Sequence, residues 1–415
     1  MNLKKLAIYT AIISIYAVGP VVGAYGFIVL QTPREKTLSL IITLIISSVV
    51  LALFSKNIKS IFTNDESKIL LLFIAVSMFS CLLAQISGQR QNTSNMWRYA
   101  AQAFVVTINF WGCFLWSRKK FDVKPVETGL IFASLICICS VIMEAYGIIS
   151  YESYGRRFFG FMGDNVAWIL SLSTCYFLFR KKYLLLILSV FSLFLTQSRG
   201  AFLIAISCII LGTSRSTKSL KNKFYYIVAS IGSLFFVAVI LPEFFSDIIS
   251  RFFETQFLDN DRIRTINFTL SVFSDNPIFG AGYGAHTYYH FETFFGKMRS
   301  GHEIWATPVS TWFQVLADFG LIGFLVFFIF MAMVIKKAFG IIFSQLDSSE
   351  HQALVGLSVW FVSFILLNHF AVWLVPSSYI SPIVFATAGI IIGVNKNAYN
   401  KRMDMRSINI KFVIR

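Results

Sequence analysis

The residues best suited to bind an anionic group are arginines that stand in unusual places. Arg199 lies between two short apolar stretches, and Arg262 lies in a polar segment, from Pro242 to about Thr307, that interrupts an otherwise hydrophobic chain. A planar guanidinium binds phosphate in bidentate fashion, whereas lysine acts as a point charge. An unpaired cation inside a membrane costs at least about 2–3 kcal/mol. The two arginines therefore predict an anionic substrate at a membrane surface.

A structural role is the alternative for each arginine. For Arg199 the partner would be Asp164 or an exposed carbonyl group. Further arginines near these two are candidates for secondary contacts with the same anion. They are Arg156, Arg157 and Arg264.

Histidine is the natural general base near neutral pH, and two histidines are candidates for that role. His302 stands beside Glu303 in the polar segment, and His369 lies within a predicted membrane span. A hydrogen-bonded core histidine is the alternative for His369. Asp318 is a further intramembrane ionisable group, and it could instead pair with an arginine and hold the polar segment in place.

The stretch Pro277–Gly284 carries glycine at three alternate positions. Such spacing allows a sharp turn or a close approach of the backbone to a ligand. It is not a phosphate-binding P-loop, because no Gly-Lys-Ser/Thr follows. We interpret the run as scaffolding.

Composition determines the class of protein. The 415 residues are 56% hydrophobic and 13% charged, whereas a soluble domain carries about 25% charged residues. The formal charge of +16 does not indicate nucleic-acid binding, because the basic residues form short runs between apolar stretches rather than one patch. All six cysteines fall in apolar stretches, which predicts buried packing for each of them.

The chain predicts an all-α integral membrane protein with about twelve transmembrane helices and one large periplasmic loop. A spanning helix needs about 20 mostly apolar residues. The seventh and eighth candidates are short and predict a tight helical hairpin around residues 197–200. The predicted parts are helices 1–9 in residues 1–241, the catalytic loop in 242–311, helices 10–12 in 312–394 and a basic cytoplasmic tail in 395–415.

Positive charge orients these helices. With the N-terminus in the cytoplasm, the stretches on that side hold 24 of the 36 lysines and arginines, which leaves 36 − 24 = 12 outside. This bias follows the positive-inside rule. It predicts that both termini are cytoplasmic and that the polar segment lies on the periplasmic face of a bacterial inner membrane. Ten of the twelve outside basic residues are arginines.

Three motifs resemble the O-antigen polymerase and O-antigen ligase superfamily. Residues 196–201 read Thr-Gln-Ser-Arg-Gly-Ala and look like its T-x-S-R-G hairpin. Its second arginine is followed fifteen residues later by Pro-x-x-Gly-x-Gly, which is the separation between Arg262 and Pro277 here. After its loop comes a helix ending in Glu/Asp-x-Gly-Leu-Ile-Gly, which resembles residues 318–323.

The resemblance implies a membrane glycosyltransferase of the GT-C type. Its substrate would be an oligosaccharide carried by undecaprenyl diphosphate, and Arg199 and Arg262 would hold the diphosphate leaving group. No metal, nucleotide or other cofactor would be required, because neutralising the developing charge in a low-dielectric site lowers the barrier. The implied proton acceptors are His302, Glu303 and Asp261. The aromatic residues that could stack on sugar rings are Tyr288, Tyr289 and Trp305.

One departure from the family pattern favours a polymerase over a ligase. The ligase branch carries His-Asn eleven residues before the Gly of Gly-Leu-Ile-Gly, and here Val309-Ser310 stand there. We therefore expect a polymerase of O-antigen, capsule or exopolysaccharide repeat units, with the lipid bilayer and a chain-length regulator as partners. The alternatives are an O-antigen ligase acting on lipid A-core and a flippase for the same lipids. A flippase is less favoured because the charges lie in one external segment and no internal repeat is found.

Overall fold

The computed structural model describes residues 3–28, 42, 45–46, 48–49, 51–53, 57–87, 93–148, 165–215, 260–284, 310–344, 348–367 and 380–394. Within these ranges the chain is helical and contains no strand. The helices are α1 (Leu3–Ile28), α2 (Lys59–Thr63), α3 (Asp65–Ile86), α4 (Thr93–Lys120), α5 (Val123–Ala145), α6 (Asn165–Arg180), α7 (Tyr183–Leu195), α8 (Arg199–Arg215), α9 (Asn260–Asp275), α10 (Thr311–Ile342), α11 (Ser349–Leu367) and α12 (Ser381–Gly393).

Short polar side chains begin several of these helices by capping free backbone N–H groups. The Asn64 side chain accepts a hydrogen bond from the Ser67 N–H at 3.0 Å at the start of α3. Asp122 accepts from the Lys124 N–H at 3.1 Å before α5. Each of these helices continues into a long apolar run, which begins at Ile69 in α3 and at Leu130 in α5.

Four described helices are long and apolar enough to cross a membrane. They are α3, α5, α10 and the first 18 residues of α11, Ser349–Leu366. Shorter apolar helices occur at Lys5–Val18, Tyr183–Leu195, Gly200–Ile210 and Ser381–Gly393. The described chain therefore has the all-α fold of a membrane protein, as expected. The number of about twelve spans, the sidedness and the division into parts stay predictions.

The helices around α6 form the centre of the core. Helix α6 packs against α5, α7, α8 and α11. Helix α10 packs against α11 and also against α3 and α9. Every residue of α12 is buried, and this helix packs closely along α4. A helix that is apolar on all sides lies inside a bundle. The predicted hairpin of two short helices is confirmed, since only Thr196–Ser198 separate α7 from α8.

A cluster of charges joins one end of α6 to its neighbours. The Arg180 guanidinium donates to the Glu127 carboxylate on α5 at 2.8 and 3.0 Å, and to the carbonyl of Ser349, the first residue of α11, at 2.9 Å. Lys182 also lies 3.2 Å from Glu127. The Arg180 and Glu127 side chains are each only 15% exposed. This cluster lies at the end of α6 opposite to the α7–α8 hairpin.

The cysteines correct the expectation that all six are buried thiols. Cys175 on α6 and Cys208 on α8 form a disulfide with their Cα atoms 5.6 Å apart, and Cys139 is exposed. Cys81, Cys113 and Cys137 are buried as expected. Pairing could not be read from the sequence, because 33 residues separate the two partners and only helix packing brings them together.

The segment 242–311, predicted as a loop, contains helix α9 and a compact turn. Helix α9 packs against α10, and residues 276–284 follow it directly. The remainder of this segment, apart from Ser310 and Thr311, lies outside the described residues. The described part of the segment is therefore held against the helical core.

Candidate functional site

The α7–α8 hairpin places Arg199 as the first residue of α8. The Thr196 hydroxyl donates to the Leu193 carbonyl at 2.7 Å, and the Gln197 N–H donates to the Phe194 carbonyl at 3.0 Å. Gln197 adopts a left-handed backbone conformation with φ 51°, which reverses the chain. The Ser198 carbonyl then accepts from the Phe202 N–H at 3.0 Å and begins α8.

Gly200 is required by an aromatic ring that lies against the hairpin. A Cβ atom at this position would stand 2.8 Å from Cη2 of Trp168 on α6. Trp168 in turn contacts Phe364 of α11 edge to face, with ring centroids 5.7 Å apart. The glycine of the T-x-S-R-G motif therefore lets α8 approach α6 next to Arg199.

The second predicted arginine opens another helix. Asp261, Arg262 and Arg264 lie in the first two turns of α9, which begins at Asn260. The free N–H groups and the dipole at a helix start favour negative charge. Arg199 and Arg262 thus share one feature, because each belongs to the first turn of a helix.

The glycine run joins the end of α9 to a break in α10. We call residues 277–282 and 317–322 together the glycine clasp. The N–H groups of Ala281 and Gly282 donate to the carbonyls of Ala317 and Asp318 at 3.0 and 2.9 Å. In return, the N–H groups of Leu321 and Ile322 donate to the carbonyls of Pro277 and Ile278 at 2.8 and 3.2 Å.

The clasp exists because α10 is interrupted at Gly320, where φ is 65° and ψ is −167°. The interruption removes helical partners from the carbonyls before it and the N–H groups after it. Backbone groups at membrane depth must be satisfied inside the protein. The Pro-x-x-Gly-x-Gly stretch supplies those partners, so two of the motifs named above form one backbone unit.

Helix α3 supports the clasp from the other side. The Ser80 hydroxyl donates to the Asp318 carbonyl at 2.8 Å, and the Tyr283 N–H lies 3.5 Å from the Cys81 sulfur. The Tyr283 and Phe319 rings are 5.3 Å apart between centroids. These contacts support the interpretation of the glycine run as scaffolding.

Asp318 lies inside this scaffold. Its side chain is fully buried, and the Gln314 amide nitrogen lies 3.4 Å from its Oδ2 atom, one helical turn away. The backbone carbonyl of the same residue accepts from both Ser80 and Gly282. The Asp318 backbone therefore helps to hold residues 277–282 in place, and the predicted pairing of its carboxylate with an arginine stays a prediction.

The position of the ligase-branch asparagine is occupied here by a helix cap. Ser310 is buried, and its hydroxyl accepts a hydrogen bond from the Trp312 N–H at 3.3 Å at the start of α10. A serine that caps a helix is held by its own backbone and is poorly placed to act as a base. Val309 lies outside the described residues.

Several predicted site residues also lie outside the described residues. They are Arg156, Arg157, Tyr288, Tyr289, His302, Glu303, Trp305 and His369. Their roles stay predictions, as does the meeting of Arg199 with Arg262. Among the described residues no three His, Cys, Asp or Glu side chains come together in a way that could hold a metal.

Sequence reasoning missed two features of this region. One is the mutual backbone pairing of residues 277–282 and 317–322, which the glycines at 280 and 320 could have signalled. The other is Gln197, whose side-chain oxygen and nitrogen are both buried without a hydrogen-bond partner among the described residues. No pattern in the sequence marks that amide as unusual.

The described structure is that of a helical membrane protein in which residues 277–282 of the polar segment are held against α10 by backbone hydrogen bonds. Residues 184–328 match the family model described as O-antigen ligase. This match confirms the resemblance to the O-antigen polymerase and ligase superfamily, to which this segment belongs and whose members are glycosyltransferase-like enzymes. The matched segment includes the hairpin, α9 and the clasp. No curated protein matches the chain.

Proposed function

We propose that this protein polymerises oligosaccharide repeat units carried by undecaprenyl diphosphate on the periplasmic face of the inner membrane. A sugar hydroxyl of one lipid-linked unit attacks the anomeric carbon of a growing chain. The bond from that carbon to the diphosphate oxygen breaks as the glycosidic bond forms. The hydroxyl proton passes to a base, for which His302, Glu303 and Asp261 are the candidates.

The observation that carries this proposal is the shared placement of Arg199 and Arg262 at helix starts. Each helix start adds free N–H groups and a positive dipole to the charge of its arginine. Undecaprenyl diphosphate leaves as an anion, so donors aimed at the developing charge lower the barrier. No resident metal or nucleotide is needed in this scheme.

The glycine clasp supports the proposal by holding one end of α9. Helix α9 begins near Arg262 and ends where residues 277–282 pair with α10. The 16 residues of α9 therefore connect Arg262 to the end of the helix that the clasp holds in place. Catalytic groups act well only when a rigid scaffold keeps them in place.

An O-antigen ligase is the second candidate, because the matching family model bears that description. Such an enzyme would transfer the finished glycan from the same carrier lipid to lipid A-core. The sequence favours the polymerase, since Val309 stands where the ligase branch carries its histidine.

Complementation of a deletion strain tests both the site and the reaction. We expect Arg199→Ala and Arg262→Ala to reduce polymer about a hundredfold, as loss of one charge-stabilising donor does elsewhere. Arg199→Lys and Arg262→Lys should retain part of the activity, because they keep the charge but lose the bidentate fork. Arg118→Ala is the matched control, since Arg118 is exposed near the end of α4.

A gel of surface polysaccharide separates the two reactions. A deletion that leaves single repeat units on the core supports the polymerase. Bare core, with long chains still on the carrier lipid, supports the ligase instead. Wild-type chain length in both alanine variants, at equal protein abundance, would exclude these arginines from the site.

A further inference from the structure

Gln197 combines two unfavourable features at the turn that precedes Arg199. Its φ of 51° lies in the left-handed region, which a residue other than glycine adopts at a cost. Its amide Oε1 and Nε2 atoms are both out of contact with solvent, and neither has a hydrogen-bond partner among the described residues. Backbone outliers that persist with unsatisfied polar groups concentrate at binding sites.

The turn itself does not need this side chain. Its N–H groups are already satisfied, because Thr196 N–H donates to the Ser192 carbonyl and Gln197 N–H donates to the Phe194 carbonyl. Glycine would adopt the same φ without strain. The amide is therefore not required by the local structure of the hairpin, which leaves it available to a ligand.

The two amide atoms without a partner define the chemistry of such a ligand. Oε1 needs a hydrogen-bond donor and Nε2 needs an acceptor, side by side. A phosphate oxygen can only accept, so a diphosphate would satisfy one atom and leave the other unpaired. A sugar presents both functions together, either as two neighbouring hydroxyls or as a hydroxyl next to an acetamido group.

We propose that Gln197 binds the sugar that is directly attached to the diphosphate. This inference rests on the proposed function, in which Arg199 holds the diphosphate two residues further along the chain. Gln197 then recognises the first sugar while Arg199 holds its leaving group. One turn of the hairpin would then bind both the first sugar and the diphosphate of the lipid-linked substrate.

Binding of three short-chain lipids to the purified full-length protein in detergent tests the inference. The probes are farnesyl diphosphate, farnesyl diphosphate carrying glucose and farnesyl diphosphate carrying N-acetylglucosamine. The variant is Gln197→Gly, which removes the amide and relieves the backbone strain. Its matched control is Lys181→Gly, because exposed Lys181 has a similar φ of 56° at the opposite end of α7.

We expect Gln197→Gly to weaken binding of a sugar-bearing probe about tenfold, as loss of a buried hydrogen-bonding pair does, and to leave farnesyl diphosphate unaffected. An equal loss for both sugar probes identifies a hydroxyl pair. A loss confined to the N-acetylglucosamine probe identifies the acetamido group. The melting temperature should not fall in either glycine variant.

Three results would overturn the inference. They are unchanged binding of both sugar probes, an equal loss for farnesyl diphosphate, or a fall in melting temperature with Gln197→Gly that Lys181→Gly does not share. Failure of the proposed function has a different signature. In that case Arg199→Ala and Arg262→Ala would bind farnesyl diphosphate as well as the wild type does.

Discussion

Gly280 and Gly320 meet backbone to backbone, although 40 residues separate them in the chain. A Cβ atom built on Gly320 would stand 2.5 Å from the Gly280 nitrogen, and one on Gly280 would overlap the main chain of Asp318 and Phe319. Both residues have positive φ, at 72° and 65°. No larger residue fits either position, so these two glycines determine where α9 is attached to α10.

Replacing either glycine of this pair should disrupt the clasp. We expect Gly280→Ala and Gly320→Ala each to lower the free energy of unfolding by at least about 3 kcal/mol, because backbone strain adds to steric overlap. Thermal unfolding of the purified protein in detergent measures the change. Polymer formation should be lost together with stability.

Gly147→Ala is the matched control for these two variants. Gly147 has φ 70°, but no atom of the described residues lies within 4 Å of the Cβ position. Strain alone should cost about 1 kcal/mol there. An equal loss in all three variants would show that the close approach at the clasp contributes nothing.

The contact between Gly200 and Trp168 predicts a rescue. Gly200→Leu should lower both the melting temperature and polymer formation, because its side chain would occupy the space of the indole ring. Adding Trp168→Ala should restore part of the stability, since it frees that space. A double variant no more stable than Gly200→Leu alone would place the cause of the defect elsewhere.

The disulfide between Cys175 and Cys208 can be tested by counting free thiols. Four cysteines are free in the structure, so maleimide–polyethylene glycol should label four thiols in the denatured protein and six after reduction. Cys175→Ser should raise the unreduced number to five. The bond joins residues 33 apart and should contribute at most about 3–4 kcal/mol of stability. Six labelled thiols without a reductant would contradict the pairing.

The Glu127–Arg180 pair should affect stability and not the reaction. Glu127→Gln leaves the largely buried Arg180 without its carboxylate partner, and loss of about 1–3 kcal/mol is expected. The polysaccharide pattern should be unchanged at a temperature where the variant is folded, because the pair lies at the far end of α6 from the hairpin. The control is Asp65→Asn, whose ion pair with Lys68 is exposed. A shorter glycan from folded Glu127→Gln protein would show that this cluster does reach the site.

Local sequence patterns predicted much of the described fold. Apolar runs marked the four described helices that are long and apolar enough to cross a membrane, and the short runs on either side of residues 197–200 predicted the α7–α8 hairpin. Both depend on the hydrophobicity and length of neighbouring residues, which a sequence displays directly. The motif order around Arg199, Arg262 and Pro277 predicted the superfamily that the match over residues 184–328 confirmed.

Contacts between distant residues were not predictable in the same way. The pairing of residues 277–282 with 317–322 uses backbone atoms, which are the same in every residue and leave no pattern of side-chain types. Cys175 and Cys208 become neighbours only because α6 packs against α8. Helix α9 was predicted as part of a loop because its sequence is too polar to be recognised as a span.

The sequence by itself determined that this is a helical membrane protein with arginines at two motif positions, because composition and spacing are local properties. Only the tertiary structure decided that the glycine run pairs with the interrupted helix α10 and that the Gln197 amide has no partner among the described residues. Both depend on which surfaces meet once the helices pack, and on whether each buried polar group then finds a partner.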